Sequence, residues 1–343
     1  MEVDWALLEG VGWEVKVLRL AGEFRIAHGS TRERSVLRLR RGEAVAEAPF
    51  VPYYKDQVEL VEEWFQAFEK DGSDRGLIEG GEIPRVIQTA LDVLHHELQA
   101  LRSGLPLWRS LKVPDPNGKS GCRSLGIPED LMEFQERVRG LSGRFPVLKL
   151  KLGSGDLERD EAIVVKAREV NPLGAMLVDV NGGWEVSAAE AMLPRLAKLG
   201  IRWVEQPVPH GIGVAGWTAL KRVARASGLA LYADESVGSV AELRALVECI
   251  DGVNVKLLKS RGITGAQELM SEARRLGKGV LLGCMIESSL GVSAAAHLSG
   301  LADGIDLDGH FYLAADDFEG LFYDECGLLR LPERPGIGAL PRA

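Results

Sequence analysis

No apolar run in the chain approaches the roughly 20 residues of a membrane helix, so a helical span is excluded. Cysteine is scarce: Cys122, Cys249, Cys284 and Cys326 are widely scattered and form no CxxC pair. That pattern argues against a secreted disulfide framework and suits a reduced compartment. Basic residues fall short of acidic ones, 41 against 50, and the resulting charge of −9 argues against nucleic acid or an anionic membrane as partner. Neither GxGxxG nor GxxxxGK[ST] occurs, which removes the usual mark of a doubly wound nucleotide-binding sheet. HHELQA (95–100) lacks the second histidine of HExxH, so His95, His96 and Glu97 read as helix surface rather than a zinc motif. The opening MEVDWALLEGVGWEV carries acids and no apolar core, which predicts no signal peptide and a cytoplasmic protein.

What is present is ordinary globular material, 343 residues with 46% hydrophobic and 27% charged side chains, enough for a substantial core. WEVKVLRLA (13–21) and SVLRLRRG (35–42) alternate like half-exposed antiparallel strands. Two amphipathic helices are predicted over 57–70 and 83–104, the second ending at glycine. LPLWRSLKVPDPNGKSG (105–121) reads as a linker. Beyond it, short apolar runs alternate with helical patterns: SLGI, VLKLKL, AMLVDV, IRWVE, LALYAD, VNVKLLK, GVLLGCM and GIDLDG. Sustained alternation of this kind predicts a parallel sheet, and eight strands are what a (β/α) barrel closes with. The expected division is an α+β capping domain over 1–120, a (β/α)7β barrel over 121–325, and a tail over 326–343 packing back on the cap.

Charged residues recur where these strands end. Lys149 and Lys151 close the second run, Asp179 the third, Glu205 the fourth and Asp234 the fifth; Lys256 lies on the sixth, and Asp306 and Asp308 end the eighth. From Lys151 through Asp179, Glu205 and Asp234 to Lys256 they are spaced by about one β/α unit, which places them at the carboxyl end of the barrel, where barrel enzymes build their sites. Asp179, Glu205 and Asp234 converge on neighbouring strands and would repel one another unless a cation neutralised them. An all-oxygen set without histidine suits Mg2+ and argues against zinc. Lys149 and Lys151, two apart, share one strand face, and Lys256 approaches from across the barrel. Mutual repulsion and burial predict a lysine with a pKa below about 10.4, as a general base requires. Lysines on opposite sides of a bound carbon suggest a two-base device.

KLK (149–151), DVNGGW (179–184), VEQPV (204–208), ADES (233–236) and NVKLLKSRGI (254–263), in this order, resemble the enolase superfamily in its muconate-lactonizing subgroup. The resemblance covers nearly the whole chain. It implies Mg2+ on Asp179, Glu205 and Asp234, and an acid/base pair of Lys151 and Lys256. It also implies a cationic Lys149 beside the substrate carboxylate and an enediolate intermediate. GIDLDGH (304–310) resembles the DxD of the dipeptide epimerase family, which implies that Asp306 and Asp308 receive the ammonium group of a dipeptide. Ser124, Gly29 and Met285 complete the expected substrate-binding set. Gly29 stands where related Ala-Glu epimerases place an arginine in FRIAHGSTRE (24–33), with Arg25 and Arg32 nearby, while Tyr53 and Tyr54 allow a more apolar pocket. Arg261 replaces a usual glycine, and His310 a usual proline. The expected activity is Mg2+-dependent epimerisation of the C-terminal residue of a dipeptide, with side-chain specificity and homo-oligomerisation open. The alternatives are an o-succinylbenzoate synthase with N-succinylamino acid racemase activity, for which Asp306 and Asp308 are dispensable, and a non-catalytic metabolite-binding barrel. His297, Trp184 and Trp203 read as packing residues, Cys284 as a buried inert thiol, and Glu235 as a partner of a lysine or a structural acceptor.

Overall fold

The computed structural model describes residues 10–70 and 83–342; the acidic stretch up to Glu9 and residues 71–82 of the expected cap lie outside them. The alternating segments near the amino end form an antiparallel sheet of β1 (Gly12–Ile26), β2 (Gly29–Arg41) and β3 (Ala44–Pro49). Helices α1 (Val58–Lys70) and α2 (Arg85–Ser103) follow, and Gly104 ends α2 in the left-handed conformation that glycine adopts without penalty. The segment 105–121 is not a free linker. It contains a single helical turn, Leu107–Ser110, whose Leu107 is fully buried, and Trp108 N donates to His297 Nδ1 at 3.2 Å.

The rest alternates strand and helix. In chain order these are β4 (Cys122–Leu125), α3 (Leu131–Leu141), β5 (Val147–Lys151), α4 (Leu157–Val170), β6 (Ala175–Asp179), α5 (Val186–Lys198), β7 (Trp203–Glu205) and α6 (Gly213–Ser227). They continue with β8 (Ala230–Ala233), α7 (Val240–Leu246), β9 (Gly252–Val255), α8 (Ile263–Arg275), β10 (Gly279–Gly283), α9 (Ser289–Ala296) and β11 (Gly304–Asp306). Side-chain caps open several of these helices: Asp130 for α3, Asp156 for α4, Ser239 for α7 and Ser288 for α9 each accept from backbone N–H groups of the first turn.

The eight strands form one parallel sheet in chain order, β4 to β11. Their helix-facing side is apolar and buried, with Leu148, Leu150, Val178, Val204, Leu231 and Val253 in register, while the inner side carries Lys149, Lys151, Asp179 and Glu205. The sheet curls until β11 lies beside β4, where Ser124 Oγ donates to Asp306 Oδ1 (3.0 Å) and Ser124 N to Asp308 Oδ2 (2.7 Å). The result is a (β/α)7β barrel. The β1–β2 hairpin lies over its mouth, held by Ile127 N donating to Arg25 O (2.9 Å) and Ala314 N to Arg19 O (2.8 Å). Ala27, at the hairpin tip, rests on two glycines: a Cβ added to Gly153 or Gly183 would come within 2.9 or 2.8 Å of its methyl.

The C-terminal segment is fastened near α2. Leu107 N donates to Gly336 O, Ile337 N to Glu97 Oε2 (2.6 Å), and His297 Nε2 bonds Ile337 O. The expected surface reading of the HHE stretch is therefore corrected. Glu97 is buried, and His96 Nε2 bonds Thr264 Oγ1 on α8 at 2.9 Å. His297, with no exposed surface, is the packing residue it was expected to be.

Candidate active site

Strand register assembles the site. In the parallel ladders Lys151 stands opposite Asp179, and Asp179 opposite Glu205, so three charged residues lie in one row across β5, β6 and β7. Ser124 is paired in the same way with Lys149, and Gly283 with Asp306. Asp234 and Lys256 directly follow β8 and β9. Alternation along β5 sends Lys149 and Lys151 into the barrel and Leu148 and Leu150 toward the helices.

Asp179, Glu205 and Asp234 have no exposed surface, and one oxygen from each lies within 4.8 Å of the others. Lys149 Nζ sits among carboxylates: 3.1 Å from Asp179, 3.0 Å from Glu205 and 2.6 Å from Asp306. Lys151 Nζ donates to Asp179 Oδ2 (2.5 Å) and Lys256 Nζ to Asp234 Oδ2 (2.6 Å). In an eight-stranded barrel, β5 and β9 are four positions apart, so Lys151 and Lys256 approach the axis from opposite sides. Both border a cavity of about 70 Å3, room for only a few waters. Its walls also include Phe24, Ile26 and Tyr53 of the cap, with Met285, Ser124 and Asp306 of the barrel.

Electrostatics follow from this crowding. Burial opposes charge on Lys149, yet Asp179, Asp306 and Glu205 together lift its pKa well above the ordinary value. Lys256 is likewise raised, with Asp234 overcoming burial. The expected lowering therefore occurs at neither of these lysines, because each faces carboxylates more closely than it faces another ammonium. It occurs at Lys259, where burial outweighs Asp234. Asp179 and Asp234, although buried, are held low by lysines: Lys149 and Lys151 for the first, Lys256 and Lys259 for the second. Glu205 is pushed up to about 8 by burial and by Asp179.

The carboxylate oxygens suit a hard divalent cation. Glu205 Oε2 and Asp234 Oδ1 are buried and accept no hydrogen bond, although Lys149 and Lys259 lie 3.0 and 2.6 Å away. Oxygens left without an aligned donor inside three converging carboxylates are what an oxygen-coordinated ion would satisfy.

Comparison with known proteins places this geometry. A family described as Enolase C-terminal domain-like matches residues 133–342. A hydrophobic dipeptide epimerase from Flavobacteria bacterium (strain MS024-2A) is 36% identical, covering 75% of this chain and 73% of its own. An L-Ala-D/L-amino acid epimerase from Pedosphaera parvula is 39% identical over 73% of this chain and 71% of its own. The chain belongs to the dipeptide epimerase family of the enolase superfamily. Among solved structures, a dipeptide epimerase from Enterococcus faecalis, complexed with Mg and L-Leu-L-Tyr, superposes with a TM-score of 0.83. It is 25% identical and covers 96% of this chain and 98% of that one.

Within this family member, Ser124, Lys151, Lys256, Met285, Asp306 and Asp308 all border one cavity, with Lys149, Asp179, Glu205 and Asp234 packed beside it. Gly29 does not join them. It is exposed at the start of β2, and a Cβ there would meet nothing within 4 Å. Phe24 and Ile26, which share a strand face, reach the cavity instead. Cys284 lines the cavity too, with burial holding its thiol well above the usual range. Glu235 accepts from Asn181 Nδ2 (3.0 Å) rather than from a lysine. Trp203 stacks on Tyr232, and Trp184 Nε1 donates to buried Asp160 (2.7 Å).

Four participants escaped the sequence reading. Asn254 Nδ2 donates to Glu205 Oε1 (2.7 Å); its place two residues before Lys256, on the same face, was the available signal. Lys259 Nζ donates to the backbone carbonyls of Asp234, Val237 and Asn254, tying the ends of β8 and β9 together. Gln206 Oε1 accepts from Asp234 N (3.0 Å) and Ser236 N (3.2 Å), and its φ of 39° marks a backbone held in an unfavourable region at the site. Arg123 pairs with Asp308 at 3.0 Å.

Proposed function

We propose that the protein is a Mg2+-dependent dipeptide epimerase that inverts the α-carbon of the C-terminal residue through a two-lysine acid/base pair. The observation that carries this reading is the approach of Lys151 and Lys256 to one small cavity from opposite sides of the barrel. An α-carbon held between them presents one face to each ammonium group. One lysine, in its neutral form, takes the α-proton; the other, protonated, returns a proton to the far face, and the configuration inverts. Asp179, Glu205 and Asp234 would hold the metal, which when bound stabilises charge developing on the substrate carboxylate. Lys149, buried and cationic, adds to that stabilisation. Asp306 and Asp308, across the cavity, receive the substrate's amino group, so the site favours a zwitterion of dipeptide length. This favours the epimerase over the N-succinylamino acid racemase alternative, whose substrate has its α-amino group acylated and so uncharged.

The cap walls support an apolar C-terminal side chain. Phe24, Ile26, Tyr53, Met285 and Ile286 surround the cavity, and no arginine is among its described lining residues. Arg32 pairs with Glu23 (3.4 Å) instead, and Arg25 is exposed. A glutamate side chain would be buried there without a cation, which is costly. The test is a panel of L-Ala-X dipeptides in D2O with Mg2+, read by mass spectrometry. Deuterium should enter the α-carbon of apolar X first. No incorporation in any member, with metal bound, overturns the epimerase reading; preference for X = Glu overturns the apolar one.

A further inference from the structure

We propose that Arg123 is the positioning residue of the site's amino-group end, holding Asp308 so that one carboxylate oxygen faces the cavity. This rests on the reading of Asp306 and Asp308 as receivers of the substrate's amino group. The two aspartates are held differently. Asp306 is held from inside the barrel, Oδ2 by Lys149 (2.6 Å) and Oδ1 by Ser124 Oγ (3.0 Å). Asp308 is held through a single oxygen, Oδ2, which accepts from Arg123 Nη1 (3.0 Å), Ser124 N (2.7 Å) and Tyr312 OH (2.8 Å). Three donors on one oxygen leave the other oxygen of a cavity-lining carboxylate for a ligand.

Of the three, Arg123 alone brings charge, and its own place is fixed by packing. Its guanidinium lies over the rings of Phe311 (4.8 Å) and Tyr312 (4.4 Å), and its side chain is only 17% exposed. A planar cation stacked on two rings loses little further freedom when it donates, so it makes a stiff support for the carboxylate. Tyr312 in turn contacts Phe24 of the cap hairpin (4.5 Å between ring centroids), so the support continues into the element that covers the cavity. Tyr312 OH also lies 2.7 Å from Ser124 O, and a phenol has one proton to give. Without Arg123, Asp308 would depend on a backbone N–H and a shared hydroxyl, and its unpaired charge would draw it toward other donors.

The experiment compares Arg123→Met, Arg123→Lys and Asp308→Asn using L-Ala-L-Phe and N-propionyl-L-phenylalanine. The second compound is the same molecule without the amino group and is measured as a competitive inhibitor. Arg123→Met should raise KM for the dipeptide by about 10- to 100-fold, the range of a hydrogen bond to a charged group, with kcat within about threefold. Its Ki for the propionyl compound should be unchanged. Arg123→Lys, which keeps the charge but not the stacked fork, should restore part of the KM loss. Equal weakening of both compounds by Arg123→Met means a merely structural role and overturns the inference, as does an unchanged KM. Asp308→Asn separates the two layers. If it weakens dipeptide and propionyl compound alike, the amino-group reading itself fails. If it selectively weakens the dipeptide while Arg123→Met does not, only the inference fails.

Discussion

Replacing Lys256 by methionine should stop epimerisation but spare half of the exchange chemistry. The residue is 5% exposed, and its nitrogen reaches the cavity from the side opposite Lys151. A cavity of about 70 Å3 offers few waters to stand in for the missing acid/base. The loss should therefore lie near the upper end of what one general acid–base residue contributes, about 10⁴-fold. That corresponds to about 5 kcal/mol of barrier. Folding should survive, because Asp234 keeps the Lys259 ammonium at 2.6 Å, and in Lys151→Met, Asp179 keeps Lys149 at 3.1 Å. The assay follows L-Ala-L-Phe and L-Ala-D-Phe separately in D2O by NMR, scoring α-deuterium and inversion independently. Each variant should exchange the α-proton of one epimer, within about tenfold of the wild-type rate, and the two variants should retain opposite epimers. Retained inversion in either variant, or exchange of the same epimer by both, would refute the opposed-base geometry.

Three further outcomes are expected. Burial pushes the Glu97 carboxyl from 4.5 up to about 7, opposed by the Ile337 N–H bond. A carboxyl raised on folding contributes stability that is full below its unfolded pKa and lost as pH climbs through about 7. Glu97→Gln should thus match wild type near pH 4 and melt higher at pH 8, by at most about 3 kcal/mol or about 4 °C in calorimetry; an equal difference at both pH values refutes the assignment. Mg2+ at 100 times its Kd should stabilise the protein by about 2.7 kcal/mol, reversed by chelation, and Asp234→Asn should abolish that shift while calorimetric titration shows lost binding. Gly183→Ala places a Cβ 2.8 Å from both Ala27 Cβ and Gly153 Cα. It should cost about 1–3 kcal/mol in a denaturant melt. By tilting the hairpin tip it should also raise KM for the dipeptide; an unchanged KM would show that the tip does not shape the cavity.

The lysines and carboxylates that gather in the barrel were legible because each ends a short apolar strand run, where a charged residue stands out. Lys151, Asp179 and Glu205 needed only strand order to become one row. Other features were hidden for physical reasons. β3, AVAEAP, is short, alanine-rich and ends in proline, with Val45 its one strong strand former, and is fixed by pairing with β2 instead. The 105–121 segment reads as a linker by composition, but Leu107, Val113 and the Trp108–His297 bond attach it through contacts nearly two hundred residues away. Gly29 was assigned by counting along the chain, whereas the β1–β2 register shifts between Arg19 and Phe24, which re-aims the residues that follow. Lysine pKa values depend on which carboxylates each nitrogen touches. Spacing along a strand cannot supply that.

The seam of the barrel explains why Asp308 is held as it is. Backbone ladders join neighbouring strands from β4 round to β11 and end there. A buried N–H on the open edge of β4 must find another acceptor or cost stability. Ser124 N finds Asp308, and Ser124 Oγ finds Asp306, so two carboxylates of β11 and its following turn replace the missing ladder. Acceptors that must be present to close the barrel are thereby fixed at one end of the cavity, facing the lysine pair. A carboxylate committed to one backbone donor keeps lone pairs on its second oxygen. The same groups can therefore close the sheet and receive an ammonium group, and the amino-group end we propose falls at the one junction where the barrel lacks backbone pairing among the described residues.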